Sequence, residues 1–158
     1  MIAVIGCGNR NRSDDGAGPA VVSALLARGH QGRGVKLLDA GTDGMAVMFA
    51  ARGCRTLILA DACRSGSPPG AIFEIPGDEL EAPHEPSLNL HDFRWDHALY
   101  AGRRILRDEF PSDVTALLIE AGTVDFGVGL SAKVAAAAEK VADRIEAIIA
   151  TRLAAASS

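Results

Sequence analysis

Cysteine is scarce in this chain and poorly spaced for metal or disulfide chemistry: Cys7, Cys54 and Cys63 form no CxxC pair in 158 residues. A zinc ribbon and a disulfide-stapled secreted scaffold are thereby excluded, and a reducing cytoplasm is the expected compartment. No apolar run approaches the roughly 18 residues of a membrane-spanning helix. The chain starts directly with the apolar run Met1 to Ile5, without a basic segment ahead of a signal-length apolar core. Basic residues are scattered apart from a small group at Arg103, Arg104 and Arg107, and the net charge is −4. No extended phosphate-binding surface follows from that, so nucleic acid is not an expected partner. There is no internal repeat, no linker and no repeated exposed apolar stripe, which leaves one domain over residues 1–158 and a monomer as the default.

What is present is aliphatic. With 48% apolar residues the chain can bury a core without staples. Met1 to Gly6 reads as a short, continuously apolar strand, as expected of a parallel sheet covered on both faces; Val35 to Asp39 is a second strand candidate, and Thr56 to Ala60 and Val114 to Ile119 read as buried strands. Ala71 to Ile75 is a fifth strand, which Pro76 stops and which suits an edge. Helices are expected from Ala17 to Arg28, from Gly44 to Ala51, and from His91 to about Phe110 with Trp95, Leu99, Ile105 and Leu106 on its buried face. A last helix is expected from Ser131, a good N-cap, with Val134, Val141, Ile145, Ile148 and Ile149 on one stripe. Alternating strands and helices predict an α/β fold in three layers: a mostly parallel twisted sheet of about five strands between helices. Residues 77–90, rich in acid and proline, are too long for an ordinary connector and suit a lid or substrate-binding loop.

In such sheets ligands collect beyond the carboxyl ends of the strands, and Asp15, Asp39, Asp61 and Glu120 all fall at that edge. Each alone is readily a cap or turn residue. Asp15, Asp61 and His91, however, come from three segments that can converge on one divalent metal, a hard-to-intermediate donor set of two carboxylates and an imidazole. Two other readings compete. Gly6-Cys7-Gly8 after the first strand suggests a dinucleotide site, but the third glycine position is Asn11 and the connection to the helix is long and polar. Cys7 or Cys63 paired with His91 would give a thiol nucleophile, though nothing in the sequence lowers a thiol pKa. His97 lies about 120° round the helix from His91, His30 and His84 read as exposed loop residues, and Asp92, Asp96, Arg94 and Arg103 form a solvated or ion-paired face.

Five motifs in order resemble those of a known family. Val4-Ile5-Gly6-Cys7-Gly8-Asn9 with Ser13-Asp14-Asp15-Gly16-Ala17-Gly18, then Asp39-Ala40-Gly41-Thr42-Asp43-Gly44, then Leu57-Ile58-Leu59-Ala60-Asp61-Ala62, His91 within Ser87 to Leu99, and Gly129-Leu130-Ser131 together resemble the hydrogenase maturation endopeptidases. The resemblance implies an enzyme that removes a short C-terminal extension from the large-subunit precursor of nickel-iron hydrogenase after nickel insertion. It implies that Asp15, Asp61 and His91 contact the metal, and that the nickel is supplied by the substrate and not held as a permanent cofactor. Either Asp15 or Asp61 is then the candidate general base. A non-catalytic chaperone of the same fold, binding metal or the large subunit, is the alternative. The chain departs from the family pattern at Asp15, where relatives carry Glu, at the polar run Arg10-Asn11-Arg12, and at Arg94. These departures point to a distinct hydrogenase subtype as partner.

Overall fold

In the computed structural model, which describes residues 1–80 and 95–158, a five-stranded sheet runs in the order β2-β1-β3-β5-β4. The strands are β1 (Ile2–Cys7), β2 (Val35–Gly41), β3 (Thr56–Cys63), β4 (Ile72–Pro76) and β5 (Asp113–Glu120). The first four in spatial order are parallel, and β4 closes one edge antiparallel to β5. Pro76, which has no N–H for a ladder, ends that edge strand, as expected. The α/β architecture read from the sequence is therefore the observed one. Strand ends run slightly further than apolarity alone suggested: β2 continues to Gly41, β3 to Cys63 and β5 to Glu120, so Asp61 and Glu120 lie within strands rather than beyond them.

Successive residues of a strand face opposite sides, and the two faces bury separate cores. Val4, Ile58, Leu117 and Ile119 meet α1 (Ala17–Ala27) and α4 (Ala132–Ala156) on one side. Ala3, Ile5, Leu57, Leu59 and Ala116 meet α2 (Gly44–Ala51) and α3 (Trp95–Leu106) on the other. The α4 stripe Val134, Val141, Ile145, Ile148 and Ile149 is buried as read, each such side chain contributing about 1.5–3 kcal/mol. On α3, Ala98, Leu99 and Gly102 are buried but Ile105 is exposed. At 100° per residue Ile105 stands about 120° from Leu99, off the seam that Trp95, Gly102 and Leu106 share. The helix start expected at His91, with Asp92 and Arg94, lies outside the described residues, as does His84. Arg103 is half-buried with its guanidinium 5.6 Å from the Phe110 ring, so its part of that face is not simply solvated. His30 is also half-buried, with Nε2 2.7 Å from Glu146 on α4, where Arg28 joins the same carboxylate. Among the described residues no helix is long and apolar enough to cross a membrane.

One contact sets how α1 seats on the sheet. A Cβ on Gly18 would fall 2.3 Å from the carbonyl oxygens of both Cys7 and Ala60, and one on Gly6 would fall 2.4 Å from that of Gly18. The helix thus enters directly over the carboxyl ends of β1 and β3, closer than any side chain permits. Gly18→Ala gains about 1 kcal/mol of helix propensity, but must push backbone apart, which costs about 3 kcal/mol at the upper end of overpacking effects. The expected outcome is a net loss of stability, read as a lower urea midpoint at unchanged m-value; a midpoint equal to or above wild type would show that the seat is not so constrained.

Candidate active site

β1 leads to β2 on one side of the sheet and β3 lies on its other side, so the strand order reverses at the carboxyl ends of β1 and β3. Loops diverge there and leave a crevice. Cys7 and Gly8 at the end of β1, Asp61 on β3, Asp15 on the short 3₁₀ turn Ser13–Gly16, the turn Gly41 to Gly44 after β2, Val47 and Trp95 line a cleft of about 240 Å³ there. Gly8 holds its two carboxylates in register. Its φ is +128°, and a Cβ would lie 1.9 Å from the Asp15 carbonyl oxygen and 3.4 Å from Asp61 Oδ1. The space a glycine leaves is therefore occupied by the chain's own backbone, and no cradle for a pyrophosphate forms at Gly6-Cys7-Gly8.

The two carboxylates differ in setting. Asp61 is only 3% exposed; its Oδ1 accepts the Ala62 N–H at 2.7 Å and its Oδ2 accepts Trp95 Nε1–H at 2.7 Å. Trp95, expected from the sequence only on the buried face of its helix, is thus a group that orients Asp61. Asp15 is half-exposed and its Oδ2 accepts the Asn9 N–H at 2.8 Å. Asp43, at the cleft rim, caps α2 by accepting the N–H groups of Met45 and Ala46, so its carboxylate is committed to its own helix. Asp39 turns away, to Arg10 at 2.8 Å and the Gly41 N–H at 3.0 Å. Among the described residues no three His, Cys, Asp or Glu side chains converge for a metal. Asp15 and Asp61 provide two, and His91 lies outside the described residues.

Of the two cysteines weighed as nucleophiles, Cys63 has little support in this geometry, and the histidine either would pair with, His91, lies outside the described residues. Burial, then the hydrogen bond and charge of Glu120 and the charge of Asp61, push the Cys63 thiol up to about 12, so it stays protonated and poorly nucleophilic. Glu120 is occupied in ordering a loop: it accepts the N–H groups of Ser65 and Gly66 and the Ser65 hydroxyl.

The neighbour of Asp15 was not singled out from sequence. Asp14 is fully buried and accepts four hydrogen bonds: from the Gly122 and Thr123 N–H groups at 2.8 and 3.1 Å, and from the Ser131 N–H and hydroxyl at 2.7 and 2.9 Å. Ser131 does occupy the N-cap of α4, yet its hydroxyl turns to Asp14 instead of capping its own helix. The sequence signal was the paired Asp14-Asp15 itself, whose consecutive carboxylates on a tight turn cannot face the same way.

The sequence model of the family HycI, hydrogenase maturation protease, matches residues 19–148. The chain belongs to the hydrogenase maturation protease family. The hydrogenase 2 maturation protease of Escherichia coli (strain K12) is 28% identical over 149 residues, covering 94% of this chain and 90% of that one. The hydrogenase expression/formation protein HupD of Thiocapsa roseopersicina is 35% identical over 79 residues, half of this chain and 36% of HupD. The solved hydrogenase maturating endopeptidase HybD from E. coli superimposes with a TM-score of 0.79 at 25% identity, over 96% of this chain and 93% of that one. The fold and family of this protease were thus legible in its motifs.

Asp14 yields a test. Burial by itself would raise its pKa, but the Ser131, Gly122 and Thr123 hydrogen bonds outweigh that and hold it below 3.8. A carboxyl depressed on folding adds stability that is complete above its unfolded pKa and is lost as pH falls through the folded value. Asp14→Asn retains the shape but sets an amide NH₂ against donors; it is expected to cost about 3 kcal/mol and to flatten the decline of the urea midpoint below about pH 4. A wild-type midpoint in the variant at neutral pH would remove Asp14 from the structural account.

Proposed function

We propose that this protease removes the C-terminal extension of a nickel-iron hydrogenase large-subunit precursor after nickel insertion, and that Asp15, Asp61 and His91 meet the nickel carried by that substrate. The observation that carries the reading is the pairing, across Gly8 at the strand-order reversal, of a buried, oriented Asp61 with a half-exposed Asp15. Nickel ranks high in the divalent affinity series and takes carboxylate and imidazole donors, so a sparse rigid rim can distinguish a loaded precursor from an empty one. The ion can polarise the scissile carbonyl or acidify a water, leaving a carboxylate to take the proton. Asp61, with both oxygens already accepting hydrogen bonds, suits the role of fixed ligand. Asp15, open on the cleft side and held through one oxygen, suits the base.

The experiment is incubation of the purified protein with nickel-loaded and nickel-free precursor of its own organism, followed by intact mass spectrometry. Only the loaded form should lose its C-terminal extension. Asp15→Asn and Asp61→Asn should each lower kcat/KM by at least about a hundredfold while the precursor still binds; unimpaired processing would dismiss the aspartate assignment. Binding of both precursors by the wild-type protein with no cleavage would favour a chaperone. Trp95→Phe, which removes the donor to Asp61 but retains most of the aromatic bulk, should lower kcat about tenfold, the scale of groups that orient a ligand. An unchanged kcat there would mean that Asp61 needs no such partner.

A further inference from the structure

A second cleft, of about 440 Å³, shares Asp15 with the first and is lined further by Arg12, Ala62, Cys63, Arg64 and Val124. Asp61 faces one cleft and its neighbour Ala62 the other, as alternation along β3 requires. The charges differ. Asp15, Asp43 and Asp61 line the first, whereas two arginines line the second. Neither Arg12 nor Arg64 enters an ion pair among the described residues, although Arg10, Arg28, Arg52, Arg144 and Arg152 all do.

Beside this cleft stands a held apolar lip, residues 123–129. The Ser13 N–H donates to the Gly127 carbonyl at 2.8 Å and the Gly127 N–H to that of Asn11 at 2.9 Å, while the Ser13 hydroxyl reaches the Asp125 carbonyl at 2.8 Å. Arg12 Nε donates to the Val124 carbonyl at 3.1 Å, and its guanidinium lies 4.9 Å from the centre of the Phe126 ring. On this laddered backbone Phe126 and Val128 are 83% and 88% exposed. Two large apolar side chains presented to water from a fixed backbone, next to guanidinium groups that enter no ion pair among the described residues, have the make-up of a protein-recognition surface.

We propose, resting on the precursor-processing reading above, that this second cleft and its lip bind the precursor chain on one side of the cleaved bond. An acidic side chain of that segment pairs with Arg64 and Arg12, and an apolar one packs on Phe126 and Val128. A guanidinium fork matches a carboxylate bidentately. A chain that crosses Asp15 from one cleft to the other meets acid on one side and base on the other, which sets its direction and register and rejects the reversed one. The polar run Arg10-Asn11-Arg12 thereby acquires a role: Arg12 both anchors the lip and charges the cleft.

The test is steady-state processing of the nickel-loaded precursor by Arg64→Glu and Phe126→Ala, with Leu26→Ala at the far end of α1 as an exposed apolar control. Each of the first two should raise KM at least about fivefold with kcat within about twofold, the signature of lost binding on the substrate side, and the control should match wild type. A precursor in which an acidic residue near the cleaved bond is replaced by lysine should be processed better by Arg64→Glu than by the wild-type protein. Wild-type KM in both variants, or a fall in kcat at unchanged KM, overturns the proposal while leaving the processing function intact. Failure of the wild-type protein to cleave the loaded precursor at all overturns both.

Discussion

The carboxylate of Asp14 is the constraint on which the rest of the site end depends. It lies beneath the surface with no water-facing area and gathers donors from the segment after β5 and from the first residue before α4. The turn at Asp14 is thereby tied to two segments that lie more than a hundred residues later in the sequence. An ionised group is tolerated there because four donors replace its hydration; remove the donors and burial would instead favour the neutral acid. With Asp14 turned inward, the next residue on the 3₁₀ turn has to turn outward, and Asp15 reaches the cleft. The lip that carries Phe126 and Val128 leaves the same anchor and is held further by Asn11, Arg12 and Ser13, so site and lip share one support.

The glycines act on the same geometry from the other side. Gly18 and Gly6 let α1 settle on the ends of β1 and β3, and Gly8 lets the backbone of Asp15 pass within reach of Asp61. A side chain at any of the three would lift the turn away from the sheet. These are close approaches of backbone to backbone, and they consume the space that a nucleotide-binding glycine loop would leave for phosphate. The motif Gly6-Cys7-Gly8 is therefore understood as packing chemistry. Glu120 and Ser65 do for the β3 side what Asp14 does for the β5 side, since a carboxylate at the end of a strand accepts loop N–H groups that would otherwise lack partners.

What results is a rim whose acids have distinct settings. Asp61 is fixed within a strand by a neighbouring N–H and an indole N–H, and Asp15 stands at the boundary of two clefts of opposite charge. A protease that processes a large-subunit precursor, as proposed above, has to read a protein surface and a single bond together. Charge contrast across one shared aspartate is an economical physical means of coupling the two, because each side rejects what the other accepts.

Aliphatic periodicity and turn chemistry determined the layers, the strand set and the β4 edge, since burial on both faces leaves an unambiguous record in a strand of five or six residues. The motif order determined the family, and Asp15 and Asp61 were named from residue type and position alone. The tertiary structure decided what no local pattern encodes. Which of two adjacent aspartates is buried, where the Ser131 hydroxyl points, that Trp95 orients Asp61 and that Ile105 lies off the seam all depend on partners distant in sequence. Hydrogen bonds of buried carboxylates are settled by which donors the fold brings within 3 Å, and that is a property of assembled loops. His91 was named by the sequence, and its place is decided by a segment outside the described residues.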